Sequence, residues 1–157
     1  MGEPARILVV DDDESIRKVL ATILEDNGYA VDTAKNGEEA IKKSRLKFYN
    51  VALIDIRLPD IEGIELLTKM RNTTPKMRKI IITGYPALQN AIDALNKGAD
   101  AYIVKPFDMD KVLQTIKEQL KQQKEEKKYN QEKVTEFIET RVKELEEEKT
   151  MAHKKPR

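Results

Sequence analysis

Five short apolar segments alternate with segments of helical periodicity over the first 120 residues. The apolar segments, such as RILVV (6–10) and NVALID (50–55), are uniformly apolar rather than alternating, which indicates strands buried on both faces of a sheet. A chain of repeated β–α units of this kind predicts an α/β fold with a parallel sheet covered by helices. We predict a doubly wound, flavodoxin-like, five-stranded parallel sheet in the order 2-1-3-4-5, followed by a long C-terminal helix.

Local signals place the ends of several helices. Asp13 and Asn36 are suited to N-cap positions, because a short polar side chain there can accept a hydrogen bond from the first turn. Pro86 is expected in the first turn of the fourth helix. The periodicity of GIELLTKMRNT predicts a third helix over 63–73.

A change in composition near residue 120 divides the chain into two expected parts, a domain over 1–120 and a charged helical extension over 121–157. The extension carries eleven Lys or Arg and nine Asp or Glu residues, with few apolar ones. Its apolar residues share one helical face, which predicts a dimerisation or output helix. The alternative is a solvated helix with a frayed basic end. The apolar residues of this stripe are Val134, Phe137, Ile138, Val142 and Leu145.

Carboxylates follow two neighbouring strands of the predicted sheet. Asp11 and Asp12 end the first strand, and Asp55 ends the third. Ligands of a doubly wound sheet bind beyond the carboxyl ends of the strands, so these three side chains are expected to converge. Two unit charges about 4 Å apart repel by roughly 4 kcal/mol at an effective dielectric constant near 20. A hard divalent cation such as Mg²⁺ would relieve this repulsion.

Two further strand ends point to phosphoryl transfer. Thr83 ends the fourth strand and Lys105 follows the fifth. A carboxylate can act as a nucleophile, while a metal ion, a lysine and a hydroxyl group stabilise charge on the transferred oxygens. The alternative is that the carboxylates are only helix caps or turn residues, a role that would require neither Thr83 nor Lys105 nearby.

The segments VVDDD, LIDIRLPDIEG, IITGY and YIVKPF, in this order and spacing, resemble the receiver domain of two-component response regulators. The resemblance implies that Asp55 accepts a phosphoryl group from a sensor histidine kinase or a histidine phosphotransfer protein. It implies that Mg²⁺ is bound by Asp55, by Asp12 directly, by Asp11 mostly through water, and by the backbone carbonyl of Arg57.

The same resemblance implies the parts of a conformational switch. Thr83 and Lys105 would contact the phosphoryl oxygens, and the Lys105–Pro106 bond would be cis. Tyr102 would turn inward as Thr83 moves, remodelling the face formed by the fourth helix, the fifth strand and the fifth helix. The resemblance also implies that the side chains at Arg57 and Tyr85 tune the access of water to the phosphoaspartate, and because both are bulky, we expect its hydrolysis to be slow.

Two other functions are compatible with the sequence. A haloacid-dehalogenase-type phosphohydrolase also uses an aspartate nucleophile with Mg²⁺, and Asp11 and Asp13 imitate its D-x-D motif. A basic arm, HKKPR, could bind nucleic acid. We favour a phosphoacceptor switch over a turnover enzyme, without direct nucleic-acid binding because the net charge is only +1. The lack of cysteine and of a long apolar run predicts a cytoplasmic protein that does not enter the membrane.

Overall fold

The computed structural model describes residues 2–70, 73, 75–84 and 88–154. The chain divides into two compact units, Met1–Gln123 and Lys124–Arg157. Strands and helices alternate along the first unit. In chain order the elements are β1 (Arg6–Val10), α1 (Glu14–Asp26), β2 (Ala30–Ala34), α2 (Gly37–Leu46), β3 (Val51–Asp55), α3 (Gly63–Lys69), β4 (Arg78–Thr83), α4 (Leu88–Asn96), β5 (Ala101–Val104) and α5 (Met109–Lys154).

The five strands form one parallel sheet in the order β2-β1-β3-β4-β5, which confirms the predicted topology. Alternate residues of each strand enter two separate apolar clusters, one on each face. Helices α1 and α5 cover one face, and α2, α3 and α4 cover the other. Fully burying one of these Val, Leu or Ile side chains is worth roughly 1.5–3 kcal/mol, so the strands are held mainly by their apolar composition.

The two predicted N-caps are confirmed. The Asp13 carboxylate accepts a hydrogen bond from the backbone N–H of Ile16 at 3.2 Å, at the start of α1. The Asn36 side-chain oxygen accepts one from the N–H of Glu39 at 2.8 Å, at the start of α2. Pro86, expected in the first turn of α4, lies outside the described residues.

Helix α3 is shorter than its periodicity predicts, so the expectation of a helix over 63–73 is wrong at its C-terminal end. The helix ends at Lys69, and Met70 is extended, with φ −76° and ψ 144°. Met70 is only 4% exposed, so its side chain is packed in the core where the backbone leaves the helix. The buried Lys79 ammonium donates to the carbonyl of Leu67 at 2.8 Å, which satisfies one acceptor in the last turn.

The predicted long C-terminal helix is confirmed as α5. Its part up to Gln123 belongs to the first unit, where Gln123 is buried and donates to the carbonyls of Asn50 and Lys76 at 3.0 and 2.8 Å. In the second unit, the apolar stripe predicted from the sequence is between 48% and 71% exposed: Val134, Phe137, Ile138, Val142 and Leu145. Over the described residues, no helix combines the length and the apolar character that crossing a membrane requires.

Candidate functional site

Three carboxylates meet at the carboxyl edge of the sheet. Parallel pairing aligns Val10 of β1 with Ile54 of β3, so the residues that follow them, Asp11 and Asp55, are neighbours across the two strands. One carboxylate oxygen from each of Asp11, Asp12 and Asp55 lies within 4.8 Å of the other two. Asp11 is buried, Asp55 is half-buried and Asp12 is exposed. We call these three residues the acidic cluster.

Asp13 does not join the acidic cluster, although it is adjacent in sequence. Its side chain faces the first turn of α1 as the N-cap. Its backbone N–H donates instead to the Asp11 carboxylate at 2.9 Å. The D-x-D pattern of Asp11 and Asp13 therefore does not place both side chains in one metal site.

The Lys105 ammonium lies between two members of the acidic cluster. Its Nζ is 3.3 Å from Oδ2 of Asp11 and 3.5 Å from Oδ2 of Asp55. Burial alone would lower the pKa of Lys105, but these two carboxylates outweigh burial and raise it. The lysine therefore stays protonated at neutral pH and acts as a fixed positive charge beside the cluster.

Burial raises the pKa of Asp11. The hydrogen bond from the N–H of Asp13 opposes this effect, the charge of Asp55 adds to it, and Lys105 opposes it. The charged form of Asp11 is therefore unfavourable even beside Lys105, so the site lacks enough positive charge to stabilise this carboxylate.

The donor set of the cluster fits a magnesium ion. Carboxylate oxygens are the ligands that Mg²⁺ prefers, and the ion commonly shares its site with phosphate. With all three carboxylates ionised, one ammonium group leaves an excess of two negative charges. A divalent cation would neutralise this excess.

The loop after β3 passes close to the acidic cluster. The backbone N–H of Arg57 donates to the Asp55 carboxylate at 3.2 Å. Gly63, at the start of α3, allows a close approach here, because a Cβ atom on it would lie 2.3 Å from the carbonyl oxygen of Asp55 and 2.8 Å from Cα of Ile56. Both obstacles are backbone atoms, so a side chain could not be accommodated by rotation of a neighbour.

The ends of β4 and β5 carry the remaining predicted residues. Thr83 is fully buried at the end of β4, one position beyond the residue paired with Asp55. Its carbonyl accepts a hydrogen bond from the N–H of Lys105 at 2.6 Å, which ties the two strand ends together. The Lys105–Pro106 peptide bond is cis, as the resemblance implied.

Tyr102 packs partly buried against the core on the α4 side of the sheet. Its hydroxyl is buried and has no partner of ordinary hydrogen-bond geometry among the described residues. Burial raises the pKa of Tyr102, and the proximity of Thr83 lowers it by a smaller amount. The predicted pair of switch residues therefore lies side by side.

Two residues of this edge were not assigned a role from the sequence. Gly63 was part of a recognised motif, but its contact with Asp55 depends on the fold. Asp60 lies in the same motif, and it binds the first turn of α2, more than twenty positions away in sequence. No local sequence signal identifies such a partner. Tyr85 and residues 155–157 of the basic arm lie outside the described residues.

The doubly wound sheet defines a flavodoxin-like α/β domain, with an acidic cluster, a buried threonine and a lysine at the carboxyl edge of the sheet. The chain belongs to the response regulator receiver domain family, whose model matches residues 7–117. It is thus a receiver domain of two-component systems rather than the phosphohydrolase considered above.

Individual relatives agree with this assignment. The chain is 40% identical over 119 residues to the transcriptional regulatory protein ZraR of Klebsiella oxytoca, covering 76% of this chain and 27% of that protein. It therefore spans about a quarter of the length of this curated relative. A CheY-like receiver domain from Methanospirillum hungatei is 47% identical with a TM-score of 0.75, over 78% of this chain and 98% of that one. TrrA of Thermotoga maritima, solved with Mg²⁺ and beryllofluoride, is 36% identical with a TM-score of 0.66, over 73% and 98% of the two chains.

Proposed function

We propose that this receiver domain is phosphorylated on Asp55 by a phosphohistidine of a sensor kinase or of a histidine phosphotransfer protein. A carboxylate oxygen of Asp55 attacks phosphorus, the bond to the histidine nitrogen breaks, and an acyl phosphate forms. The observation that carries this proposal is the position of the Lys105 ammonium between Asp11 and Asp55, at the strand edge where the three carboxylates meet.

Each residue of the site has a distinct role in this proposal. Asp12, Asp55 and the backbone carbonyl of Arg57 would bind Mg²⁺ directly, with Asp11 acting mostly through water. Bound Mg²⁺ would neutralise negative charge on the entering phosphoryl oxygens. Lys105 is already paired with the nucleophile and would follow it to a phosphoryl oxygen.

The response to phosphorylation would run through Thr83 and Tyr102. The Thr83 hydroxyl would bind a phosphoryl oxygen, and Tyr102 would fill the space beside it. Apolar side chains that are already exposed around this edge give such a change a surface on which to act: Ile92, Leu95 and Val104 are 41%, 55% and 41% exposed. The output would be a partner that binds one arrangement of this face better than the other.

The second unit would serve as a self-association or output helix. Its apolar stripe includes Phe137, whose side chain is 71% exposed. Exposing several large apolar side chains on one helix face is unfavourable in water, so this face is suited to contact with another protein surface. The molecular mass in solution, measured with and without beryllofluoride, tests this role. A monomer under both conditions, unchanged by replacing Phe137 and Ile138 with Ser, would rule out self-association.

Incubation with acetyl phosphate and Mg²⁺, followed by intact-mass measurement, tests the central proposal. The parent protein should gain the mass of one phosphoryl group, and Asp55→Asn should not. Asp13→Asn is the matched control, since it makes the same chemical change next to the acidic cluster but at a helix cap. A label that persists in Asp55→Asn would refute the assignment, and continuous turnover of phosphate esters would indicate a hydrolase.

Cytoplasmic localisation and the absence of direct nucleic-acid binding stay predictions. The relative ZraR is a transcriptional regulatory protein. The part of it that this chain matches is about a quarter of its length, so its role in transcription is not carried over to this chain.

A further inference from the structure

The loop that follows Asp55 is closed at its base. The backbone N–H of Gly63 donates to the carbonyl of Ile56 at 2.7 Å. Arg57 and Glu62 form an isolated antiparallel bridge immediately inside this bond. The segment 57–62, which we call the acceptor loop, therefore has a fixed base, and its tip is formed by Pro59, Asp60 and Ile61.

The tip of the acceptor loop is attached to helix α2. The two carboxylate oxygens of Asp60 each accept one backbone hydrogen bond, from Gly37 and from Glu38, both at 2.9 Å. These are the first two residues of the helix, whose N–H groups have no partner within the helix itself. The bond from Gly37 is the largest cause of a lowered pKa of Asp60, so this carboxylate is ionised and the bonds are charge-assisted.

The apolar neighbour of Asp60 supports the same contact. A Cβ atom on Gly37 would lie 2.2 Å from a side-chain carbon of Ile61 and 3.3 Å from the Asp60 carboxylate. The missing side chain of Gly37 therefore leaves the space in which the loop tip rests against the start of α2. The side chain of Asn36 caps one further N–H group of the same turn, that of Glu39. The helix is thus capped once from its own sequence and once from the acceptor loop.

We infer that Asp60 is a positioning residue for the metal and phosphoryl site. Its two hydrogen bonds hold the acceptor loop against α2, so that the Arg57 carbonyl and the Asp55 carboxylate keep the geometry that Mg²⁺ requires. Magnesium demands near-ideal octahedral geometry, so a loosened loop weakens binding even when every ligand is still present. This inference rests on the proposed function, because it assigns Asp60 to the metal-binding loop of that site.

The test compares Asp60→Ala with Asn36→Ala. Both substitutions remove side-chain capping of the first turn of α2, but only the first releases the acceptor loop. The Mg²⁺ concentration for half-maximal labelling by acetyl phosphate, and that for half-maximal stabilisation against heat, should both rise about tenfold in Asp60→Ala, the low end of the effect of losing a group that orients metal ligands. Both concentrations should be unchanged in Asn36→Ala.

Asp60→Asn provides a milder variant in case the alanine variant does not fold. Its amide oxygen can still accept the bond from Gly37, whereas its NH₂ group cannot accept the bond from Glu38. The half-saturating Mg²⁺ concentration should therefore fall between those of the parent protein and Asp60→Ala.

The outcomes separate this inference from the function on which it rests. If Asp60→Ala lowers thermal stability as Asn36→Ala does, with the Mg²⁺ dependence unchanged, Asp60 is only a helix cap and the inference is overturned. If the parent protein is stabilised by Mg²⁺ but takes no label, the phosphoacceptor function fails, and the Mg²⁺ titration by heat alone still decides the role of Asp60.

Discussion

Replacing Asp11 with Asn should stabilise the protein in metal-free buffer. Asp11 is 4% exposed, and the cost of burying a carboxylate of this kind is roughly 4 kcal/mol. A carboxylate oxygen of Asp11 lies within 4.8 Å of one of Asp55, which gives a repulsion of about 3.5 kcal/mol at a dielectric constant of 20. Its Oδ2 lies 3.3 Å from the Lys105 ammonium, which gives an attraction of about 5 kcal/mol. The attraction offsets the repulsion and only part of the burial cost.

The substitution should therefore raise the free energy of unfolding by about 2 kcal/mol, which corresponds to about 4–8 °C in the melting temperature of a chain of this size. Asparagine keeps an oxygen that can accept the 2.9 Å hydrogen bond from the N–H of Asp13, so no buried donor loses its partner. Urea unfolding followed by tyrosine fluorescence, with EDTA present, measures the change. Asp13→Asn serves as the control and should be neutral, since both residues are good N-caps.

The pH dependence of this difference has a definite sign. Burial raises the pKa of Asp11 above its unfolded value, so the folded protein binds the proton more readily. The parent protein therefore loses stability as the pH rises from 3.8 through the raised pKa, and the Asn variant lacks this loss. The advantage of the variant should be greatest at neutral pH and should shrink toward pH 4.

Magnesium reverses the comparison. At one hundred times its dissociation constant, a ligand that binds only the folded state adds about 2.7 kcal/mol. The parent protein should gain this while Asp11→Asn gains much less, and the gain exceeds the advantage of about 2 kcal/mol that the variant has without metal. A variant that is less stable than the parent protein in EDTA would show that burial of the Asp11 charge costs nothing. A variant that Mg²⁺ stabilises as much as it stabilises the parent protein would show that this charge does not serve the metal.

Two further substitutions test contacts at and behind the site. Gly63→Ala should cost about 2–3 kcal/mol of stability and should slow labelling of Asp55, because the new Cβ meets the Asp55 carbonyl and Cα of Ile56 at 2.3 and 2.8 Å. Urea unfolding measures the loss of stability, and the acetyl phosphate assay measures the rate of labelling. Burial lowers the pKa of Lys79 in the folded protein, so between that pKa and 10.5 the unfolded chain binds more protons than the folded one. The free energy of unfolding of the parent protein should therefore rise with pH in this range, whereas that of Lys79→Met should not. The expected rise is about 1.4 kcal/mol for each unit by which the pKa is lowered.

Matched variants give these two predictions their controls. Gly84→Ala places a Cβ at an ordinary 3.9 Å from Lys105, and Gly98→Ala strains a residue at φ +108° with nothing within 4 Å. If either costs as much stability as Gly63→Ala and slows labelling equally, the contact with Asp55 is not the cause. For Lys79, parallel unfolding curves of the parent protein and Lys79→Met between pH 7 and 10.5 would contradict the lowered pKa.

Much of the site was predictable because its residues stand at strand ends. The carboxyl ends of parallel strands share one edge, so finding Asp11, Asp55, Thr83 and Lys105 just at or after apolar runs was enough to predict that they converge. The structure confirms the sheet that brings these strand ends together and shows that the acidic cluster exists. The chemical roles of the cluster's residues stay predictions, since each depends on a phosphoryl group and a metal ion.

The sequence by itself determined the order of helices and strands, the burial of the sheet on both faces and the caps of α1 and α2, because hydrophobic period and capping are set by residues within a few positions of one another. Only the tertiary structure decided that α3 ends at Lys69, that Asp60 binds the start of α2, and that Lys105 pairs with both Asp11 and Asp55. These features join segments that are far apart along the chain. No periodicity encodes them, since their energies arise only once the sheet has brought the partners within hydrogen-bond distance.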